Sequence, residues 1–402
     1  MMNTLFISSV VPIKLKDEYK KLTKRTMVDA SNAFQFHIIE GLHNHIPNLE
    51  VVNVLPVYSF PRYCKKLFIK STTCDSILGV NTKTVAFFNL VYFRRNSMKN
   101  AIYKAVKSWI EKSSDNRNII FYTMELHIVE ALAKLKKEYS DLKVCSIVAD
   151  LPNMSNLSNR KLLVTLNNLF FGRKSYNYKN QIDCYCFITE KMADYLQVNK
   201  PFCVIEGIAT VTEYKKIKEN TQKIITYAGT LNKRFGVLNL VEAFRRIQNQ
   251  NYKLIICGLG DGEEEIIHAA EEDKRIEFLG QIDRADLLNI LKKSTLLVNP
   301  RQNIEEFTKY SFPSKNLEYL SMGRPVVAYK LDGIPSEYDE LFFYVNDNTI
   351  DSLKNKIIEV CEKNIDELNN DSESKRRYVM ECKNSIAQTK KIVDLLTNIR
   401  EA

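Results

Sequence analysis

The sequence predicts an α/β protein with two Rossmann-like, doubly wound domains that face a cleft. The chain has 402 residues, which is enough for two domains of close to 200 residues each. Short apolar segments alternate with amphipathic segments of helical period along its length, a pattern typical of parallel sheets with crossover helices. A polar, lysine-rich segment from Thr210 to Gln222 separates the two series.

Composition indicates a folded intracellular protein. No run of about 18 apolar residues is present, so no membrane-spanning helix is expected. The apolar run at the N-terminus is short and lacks a basic lead, which favours a first core strand over a signal peptide. The nine cysteines are scattered singly, the closest pair being Cys184 and Cys186. This spacing indicates reduced thiols in a cytosol and argues against zinc or disulfides.

The net charge of +10 belongs to the first half of the chain. The first 200 residues hold 29 Lys and Arg against 16 Asp and Glu, whereas the rest hold 29 against 32. Large aromatic side chains accompany the cations in Phe60–Phe68 and Val91–Arg95, and Leu157–Phe171 is a second amphipathic segment. This mixture favours an anionic membrane surface, although an ordinary solvated helix would also show lysines outside and aromatics inside. Nucleic acid is not expected as a partner because no reader motif accompanies the charge.

The predicted N-terminal domain spans residues 1–207. Its strands 118–122 and 144–149 are followed by His127 and Asp150, and Glu125 lies beside the histidine. Polar side chains at the carboxyl ends of parallel strands lie where α/β folds bind ligands. His127 and Asp150 are therefore candidates for one wall of a site, although a histidine at a helix start is often only a cap or a packed side chain.

The predicted C-terminal domain spans residues 208–374 and begins with a strand that ends at Gly229. Lys233 and Arg234 lie in the strand-to-helix loop from Gly229 to Gly236. A diphosphate requires close backbone approach, which glycine permits, and cations that offset its charge. The loop is therefore a candidate phosphate loop, with a solvated charged turn as the alternative.

Further loops of this domain end on residues suited to a nucleotide. Gly260 lies in a glycine-rich turn after strand 253–257, Gly280 ends the next strand, and Arg301 follows strand 296–299. The glycine-rich turn alone is a weak dinucleotide signal. A guanidinium at position 301 would favour phosphate or sugar oxygens.

The segment from Ser311 to Ala328, SFPSKNLEYLSMGRPVVA, predicts a loop, a short helix and a buried strand. Pro313 suits the helix entry, Ser314 is a good N-cap, and Gly323 ends the helix. The helix start and Lys315 together form a predicted anion site. Glu318 lies one helical turn further along the same face, where a carboxylate can accept hydrogen bonds from a ribose diol.

This segment resembles the donor site of the retaining GT-B glycosyltransferases of the family 4 type, many of which build bacterial surface polysaccharides. Family members carry two glutamates separated by seven residues, the first for the transferred sugar and the second for the ribose. Glu318 matches the second glutamate, but Tyr310 stands at the first position, with Glu305 and Glu306 upstream. The resemblance leaves the sugar-contacting residue unassigned.

The resemblance also covers the loop from Gly229 to Gly236, although Thr230 and Phe235 stand where the family has Arg and Lys. The MELH and VADLP stretches resemble family segments too. The implied roles follow. The residues expected to contact the phosphates are Lys233, Arg234, Ser314 and Lys315. Those expected to make the remaining contacts with the donor are Gly229, Gly260, Gly280, Arg301, Leu317 and Glu318. Those expected to contact the sugar or the acceptor are His127 and Asp150.

The reaction implied by the resemblance is transfer of a sugar from a nucleotide-diphosphate sugar, expected to be a UDP-sugar, to a lipid-linked or membrane-associated glycan. We expect no cofactor besides this donor and, because no Asp-x-Asp sequence occurs, no metal. The expected location is the inner face of the cell membrane, bound peripherally. A C-terminal helix, 375–402, is expected to cross back onto the first domain. A nucleotide-sugar epimerase and a non-catalytic binding subunit remain alternatives.

Overall fold

The protein was analysed as a computed structural model that describes residues 2–24, 29–113, 115–151, 174, 177–210, 212–219 and 222–401. The predicted amphipathic segment Leu157–Phe171 lies outside the described residues. The chain divides into two compact units. The N-terminal unit comprises Met1–Ile208 and Ser385–Ala402, and the C-terminal unit comprises Ala209–Asn384.

The N-terminal unit is a mostly parallel sheet with helices. Its strands are β1 (Asn3–Ser8), β2 (Glu50–Asn53), β3 (Phe68–Ile69), β4 (Thr72–Ile77), β5 (Val80–Thr84), β6 (Phe87–Phe88), β7 (Arg117–Tyr122), β8 (Lys143–Val148), β9 (Cys184–Phe187) and β10 (Phe202–Val204). Within the described residues the sheet order is β10-β9-β8-β7-β1-β2-β5-β4, and only the β4–β5 pair is antiparallel. Strands β3 and β6 form a separate antiparallel ribbon. Its helices are α1 (Lys16–Leu22), α2 (Asp29–His45), α3 (Val91–Ile110), α4 (Leu126–Glu138) and α5 (Lys191–Leu196).

The C-terminal unit is a fully parallel sheet in its described part. Its strands are β11 (Lys223–Ala228), β12 (Tyr252–Cys257), β13 (Ile276–Gly280), β14 (Leu296–Asn299), β15 (Val326–Ala328) and β16 (Phe343–Tyr344), ordered β13-β12-β11-β14-β15-β16. Its helices are α6 (Val237–Arg245), α7 (Glu263–Glu272), α8 (Arg284–Lys293), α9 (Ser314–Ser321), α10 (Ile350–Cys361) and α11 (Ile365–Cys382). This is the doubly wound strand order of dinucleotide-binding folds. Strands such as β14 and β15 are buried along their whole length, which explains their continuous apolar sequence.

The last helix, α12 (Ser385–Glu401), belongs to the N-terminal unit and packs on α2. Gly41 of α2 permits this close packing, because a Cβ there would lie 2.1 Å from the carbonyl oxygen of Ser385. Ile392 and Leu396 of α12 are fully buried in the core of this unit. The end of the chain therefore completes the first unit.

The prediction of one continuous C-terminal helix from 375 to 402 is wrong, because α11 and α12 are separated at Lys383 and Asn384. The Lys383 side chain is buried and its ammonium donates to a Glu337 carboxylate oxygen at 2.6 Å. Its carbonyl oxygen accepts the N–H of Ala209 at 2.7 Å. In a continuous helix this carbonyl oxygen would instead accept the N–H of the residue four positions further along the chain.

Two other predicted boundaries move. The sequence predicts a helix from about Met98 to Ile110, but α3 begins seven residues earlier at Val91, so the aromatic and basic stretch Val91–Arg95 forms its first turn. The apolar run Val85–Leu90 predicts a strand, but only its Phe87–Phe88 part is a strand, β6. None of the helices in the described part of the chain has the length and apolar composition needed to cross a bilayer.

Candidate functional site

The strand order of the C-terminal unit reverses between β11 and β14. Open α/β sheets bind ligands at the carboxyl ends of the strands beside such a reversal. Gly229 directly follows β11, Arg301 lies two residues beyond β14, and α9 begins at Ser314 on the crossover to β15. The topology alone therefore places three of the predicted donor-site segments at one position.

The loop after β11 is held against the end of β14. Gly236 has a φ of +77°, and a Cβ there would lie 2.1 Å from the carbonyl oxygen of Pro300. Any larger residue would therefore be strained in its backbone and would also collide with a backbone atom. This contact fixes the phosphate-loop candidate beside Arg301.

Lys315 lies across the same loop. A Cβ on Gly229 would lie 2.4 Å from Lys315 Cε and 2.8 Å from the hydroxyl oxygen of Tyr227, so only glycine leaves room for the lysine. Among the described residues, no carboxylate lies within ion-pair distance of the Lys315 ammonium. Burial lowers the pKa of Lys315, and the positive charges of Arg284 and Arg301 act in the same direction. Glu318 opposes this shift.

Arg301 is the second recessed cation. Its guanidinium carbon lies 4.0 Å from the centre of the Phe235 ring and 5.6 Å from the centre of the Phe307 ring. Burial lowers the pKa of Arg301 as well. Within the described residues its guanidinium has no carboxylate partner either. Two neighbouring cations that are withdrawn from water and lack an ion-pair partner favour the binding of an anion.

Helix α9 adds its N-terminal dipole to this charge. The prediction that Ser314 caps the helix is wrong, because Pro313 occupies the cap position with φ −66° and ψ 107°, and Ser314 is the first helical residue. No side chain caps the helix, so the first-turn N–H groups of Ser314 and Lys315 are left for solvent or a ligand. The predicted end at Gly323 is confirmed, with φ at +64°.

Two buried polar atoms at the base of α9 have no hydrogen-bond partner within the described residues. They are Ser311 Oγ and Asn316 Nδ2. The side-chain oxygen Oδ1 of Asn316 accepts a hydrogen bond of 2.6 Å from Nδ2 of Asn299, the last residue of β14. Only the side-chain NH₂ group of Asn316 is therefore left without a partner among the described residues. Unsatisfied buried donors are rare in folded proteins and are consistent with an anion site.

The two predicted phosphate cations, Lys233 and Arg234, both carry carboxylate partners. The Lys233 ammonium pairs with the Glu265 carboxylate. The backbone N–H of Lys233 donates to the Asp261 carboxylate at 2.8 Å. The Arg234 guanidinium donates to both carboxylate oxygens of Glu305, with Nε at 3.0 Å, and holds the pKa of Glu305 below its usual range. The cation beside Gly229 is instead Lys315, and the cation stacked on the Phe235 ring is Arg301.

Glu318 lies on α9 as predicted and is paired with Arg284, the first residue of α8. The glutamate side chain is 17% exposed and the arginine 58% exposed. Gly280 ends β13 with φ +61°, and nothing lies within 4 Å of where its Cβ would be, so space is open beside it. Gly260 contacts the backbone of Leu231. The Leu317 side chain is buried in the core.

In the N-terminal unit, His127 and Asp150 follow the paired strands β7 and β8. Asp150 is exposed and His127 is half-buried in the first turn of α4. Burial lowers the pKa of His127 to about 3, and the positive charges of Arg94 and Arg95 contribute. The imidazole is therefore neutral near pH 7 and can accept a hydrogen bond from a hydroxyl group.

Several residues of the C-terminal site were not predicted. Phe235 and Phe307 stack with Arg301, the Tyr227 hydroxyl lies beside Gly229, and Arg284 pairs with Glu318. The position of Phe235 inside a basic loop was the available signal, since an aromatic residue there has no solvated role. In the described part of the chain, no group of three or more His, Cys, Asp or Glu side chains is arranged to hold a metal ion.

Comparisons with known proteins bear on the fold and on the C-terminal part of the chain. Residues 211–398, slightly less than half of the chain, match the family model described as "Glycosyl transferases group 1". No curated protein sequence matches the chain. Sucrose-phosphate synthase from Thermosynechococcus elongatus is a similar solved structure, with 15% identity, 99% coverage of each chain and a TM-score of 0.63.

Two further similar structures were solved with a nucleotide bound. The E. coli protein titled as trehalose-6-phosphate, bound with UDP-2-fluoro glucose, has 11% identity, covers 98% of this chain and 99% of its own, and has a TM-score of 0.62. Anabaena HepE in complex with UDP has 14% identity, covers 99% of this chain and 100% of its own, and has a TM-score of 0.61. At these identities the likeness establishes the fold, so the protein is an α/β protein of the GT-B type whose residues 211–398 match the group 1 glycosyltransferases.

Proposed function

We propose that the protein is a retaining, metal-independent glycosyltransferase that moves a sugar from a UDP-sugar to a lipid-linked or membrane-associated glycan. The observation that carries the proposal is the pair of recessed cations, Lys315 and Arg301, at the sheet reversal beside the uncapped start of α9. The group 1 match covers this part of the chain. UDP as the nucleotide rests on the two similar structures that hold UDP or a UDP-sugar.

The diphosphate would contact Lys315, Arg301 and the first-turn N–H groups of α9. Each of these groups would stabilise the negative charge that develops on the leaving phosphate in the transition state. The backbone of Gly229 can approach the phosphates closely because it carries no side chain. Glu318 would accept hydrogen bonds from the ribose hydroxyls once the exposed Arg284 side chain moves aside.

In the proposed transfer, the bond between the sugar C1 and the phosphate oxygen breaks and a bond from C1 to the acceptor oxygen forms. The acceptor hydroxyl proton passes to the leaving phosphate. No protein base is required, which suits a site whose nearest groups are cations. His127 would stay neutral and accept a hydrogen bond from the sugar or the acceptor. Asp150 would contact the same substrates. Lys233 and Arg234 would steady the loop through their carboxylate partners.

The test is a measurement of UDP release from a panel of UDP-sugars, with and without a lipid-linked glycan acceptor, followed by NMR of the product anomer. We expect acceptor-dependent UDP release, retained anomeric configuration and activity that persists in EDTA. Isomerised UDP-sugar without UDP release would indicate an epimerase. Binding without turnover would indicate a non-catalytic subunit. That second alternative is favoured by Tyr310 in place of the first family glutamate.

A further inference from the structure

Six large apolar side chains stand exposed together on the N-terminal unit. They form what we call the aromatic cap: Leu67, Phe68, Phe88, Val91, Tyr92 and Phe93. Tyr92 is 89% exposed, Phe93 61% and Val91 56%, although each carries a large apolar surface. Soluble proteins rarely leave contiguous apolar patches of this kind in water unless the patch binds something.

The cap is a continuous surface built from two elements. Phe68 of β3 and Phe88 of β6 are direct cross-strand partners in the antiparallel ribbon. The ring centres of Phe88 and Phe93 are 6.5 Å apart in an edge-to-face arrangement, which joins the ribbon to the first turn of α3. The N–H of Phe88 donates to Ser97 Oγ at 2.8 Å and fixes the ribbon on the helix.

The charge around the cap is positive. Residues 51–100 carry eight Lys and Arg and one acid, Asp75. Arg62, Lys65, Lys66 and Lys70 are exposed next to the ribbon in sequence, and Lys66 is paired with Glu18 at 2.9 Å. Two copies of this surface would repel each other, so self-association through the cap is disfavoured. Exposed aromatic rings flanked in sequence by exposed cations match an anionic lipid interface, where the rings enter the headgroup region and the lysines meet the phosphates.

We infer that the aromatic cap is the surface through which this protein docks on a bilayer containing anionic lipids. This inference rests on the membrane association included in the proposed function and assigns it to named residues. Tyr92 and Phe93 insert at the headgroup level, and the flanking lysines and arginines provide long-range attraction. The attachment is peripheral and reversible, because the first turn of one helix and a two-stranded ribbon bury only a shallow apolar area.

The test is sedimentation of the full chain with vesicles of phosphatidylcholine, alone or mixed with one quarter phosphatidylglycerol. The cap variant is Tyr92→Ser with Phe93→Ser. The matched control is Ile267→Ser with Ile386→Ser, which removes two exposed apolar side chains outside the cap. We expect binding to the anionic vesicles only, a loss of at least about tenfold in the cap variant, and no loss in the control. Neutralising Lys65 and Lys70 with glutamine should lower the partition several-fold and flatten its salt dependence.

Calorimetry with UDP on the same samples separates the two claims. UDP binding that is equal in wild type and the cap variant shows that the variant is folded and that the donor site is independent of the cap. The docking inference is overturned if the cap variant binds anionic vesicles as well as wild type does. It is also overturned if wild type binds neutral vesicles as well as anionic ones, or if wild type binds neither kind of vesicle. A failure of UDP to bind wild type would instead overturn the proposed function and leave the vesicle result to decide the docking surface.

Discussion

At the scale of single residues, the proposed donor site depends on two cations that have no carboxylate partner among the described residues. Lys315 and Arg301 are the two cations at the sheet reversal whose charged forms are disfavoured by burial. Lys233 and Arg234, by contrast, are held by Glu265 and Glu305. A half-buried cation with no carboxylate partner among the described residues adds no stability, so its presence is better explained by a ligand than by folding.

Replacing Lys315 with methionine should therefore separate stability from binding. Methionine has a similar length and no charge, so the free energy of unfolding should stay level or rise by about 1 kcal/mol. UDP affinity should fall at least about tenfold, because one phosphate contact is lost. Denaturant unfolding and calorimetry measure the two effects, and Lys330→Met, at an exposed lysine paired with Asp339, serves as the control. A Lys315→Met protein that is less stable and still binds UDP normally would show that the lysine is structural.

The lowered pKa of Lys315 also predicts a pH dependence of binding. A bound phosphate stabilises the charged ammonium, so the pKa of Lys315 is higher in the complex than in the free protein. UDP affinity should be full below the lowered pKa of the free protein and should decline as the pH rises from that value to the higher pKa of the complex. Calorimetry in buffers of different ionisation enthalpy should detect proton uptake in this window. The uptake should be absent in Lys315→Met, and its persistence there would assign it to another group.

At the scale of elements, the loop after β11 is positioned by its fit against β14. Gly236 carries both a positive φ and a close contact with Pro300, whereas Gly280 has a positive φ of +61° and open space around it. A comparison of alanine substitutions at these two glycines therefore separates the cost of backbone strain from the cost of a steric collision.

Gly236→Ala should destabilise the C-terminal unit by more than the roughly 1 to 2 kcal/mol expected for left-handed backbone strain alone. Gly280→Ala should cost only that strain, because its Cβ meets nothing. Denaturant unfolding followed by hydrogen exchange in the C-terminal unit measures both. Equal costs at the two positions would show that the loop can move away from Pro300 freely.

The elements of the C-terminal unit were largely predictable from sequence, because apolar runs ended by glycine or proline mark β11, β12, β13 and β14. The predicted strands 224–229, 253–257, 275–280 and 296–299 overlap β11, β12, β13 and β14. The site itself was less predictable. Sequence spacing identified Lys315, Arg301 and Glu318 as candidate site residues. It could not show that Glu265 and Glu305 form ion pairs with Lys233 and Arg234. Those partners lie 32 and 71 residues away in the chain, and only folding brings them together.

Helix boundaries failed where tertiary contacts override local pattern. Residues 375–402 have the composition of one helix, yet the ion pair between the buried Lys383 and the exposed Glu337 lies at its interruption. The start of α3 was placed too late because Val91, Tyr92 and Phe93 resemble a strand more than a helix. Their exposure in the first turn was not predictable from propensity.

At the scale of the whole molecule, the chain leaves its first unit and returns to it. The final helix α12 contributes Ile392 and Leu396 to the N-terminal core, and Arg400 donates to the Asn118 side chain at 2.9 Å. The family match from 211 to 398 includes this helix, although it packs with the other unit.

Deleting residues 385–402 should therefore destabilise the N-terminal unit and spare UDP binding by the C-terminal unit. Loss of two fully buried side chains alone costs about 2 to 5 kcal/mol each. Hydrogen exchange should show faster exchange in β1, β7 and α2, while calorimetry should give an unchanged UDP affinity. Equal loss of protection in both units would contradict the division of the chain described above.

The most direct test of the central claim compares UDP, UMP and uridine by calorimetry on wild type, Lys315→Met and Arg301→Met. We expect wild type to bind UDP at least about tenfold more tightly than UMP, because the second phosphate meets the two recessed cations and the start of α9. This preference should shrink in either variant, and uridine binding should change little. Equal affinities for UDP and UMP in wild type, or a preference for UDP that survives both substitutions, would contradict a diphosphate site at Lys315 and Arg301.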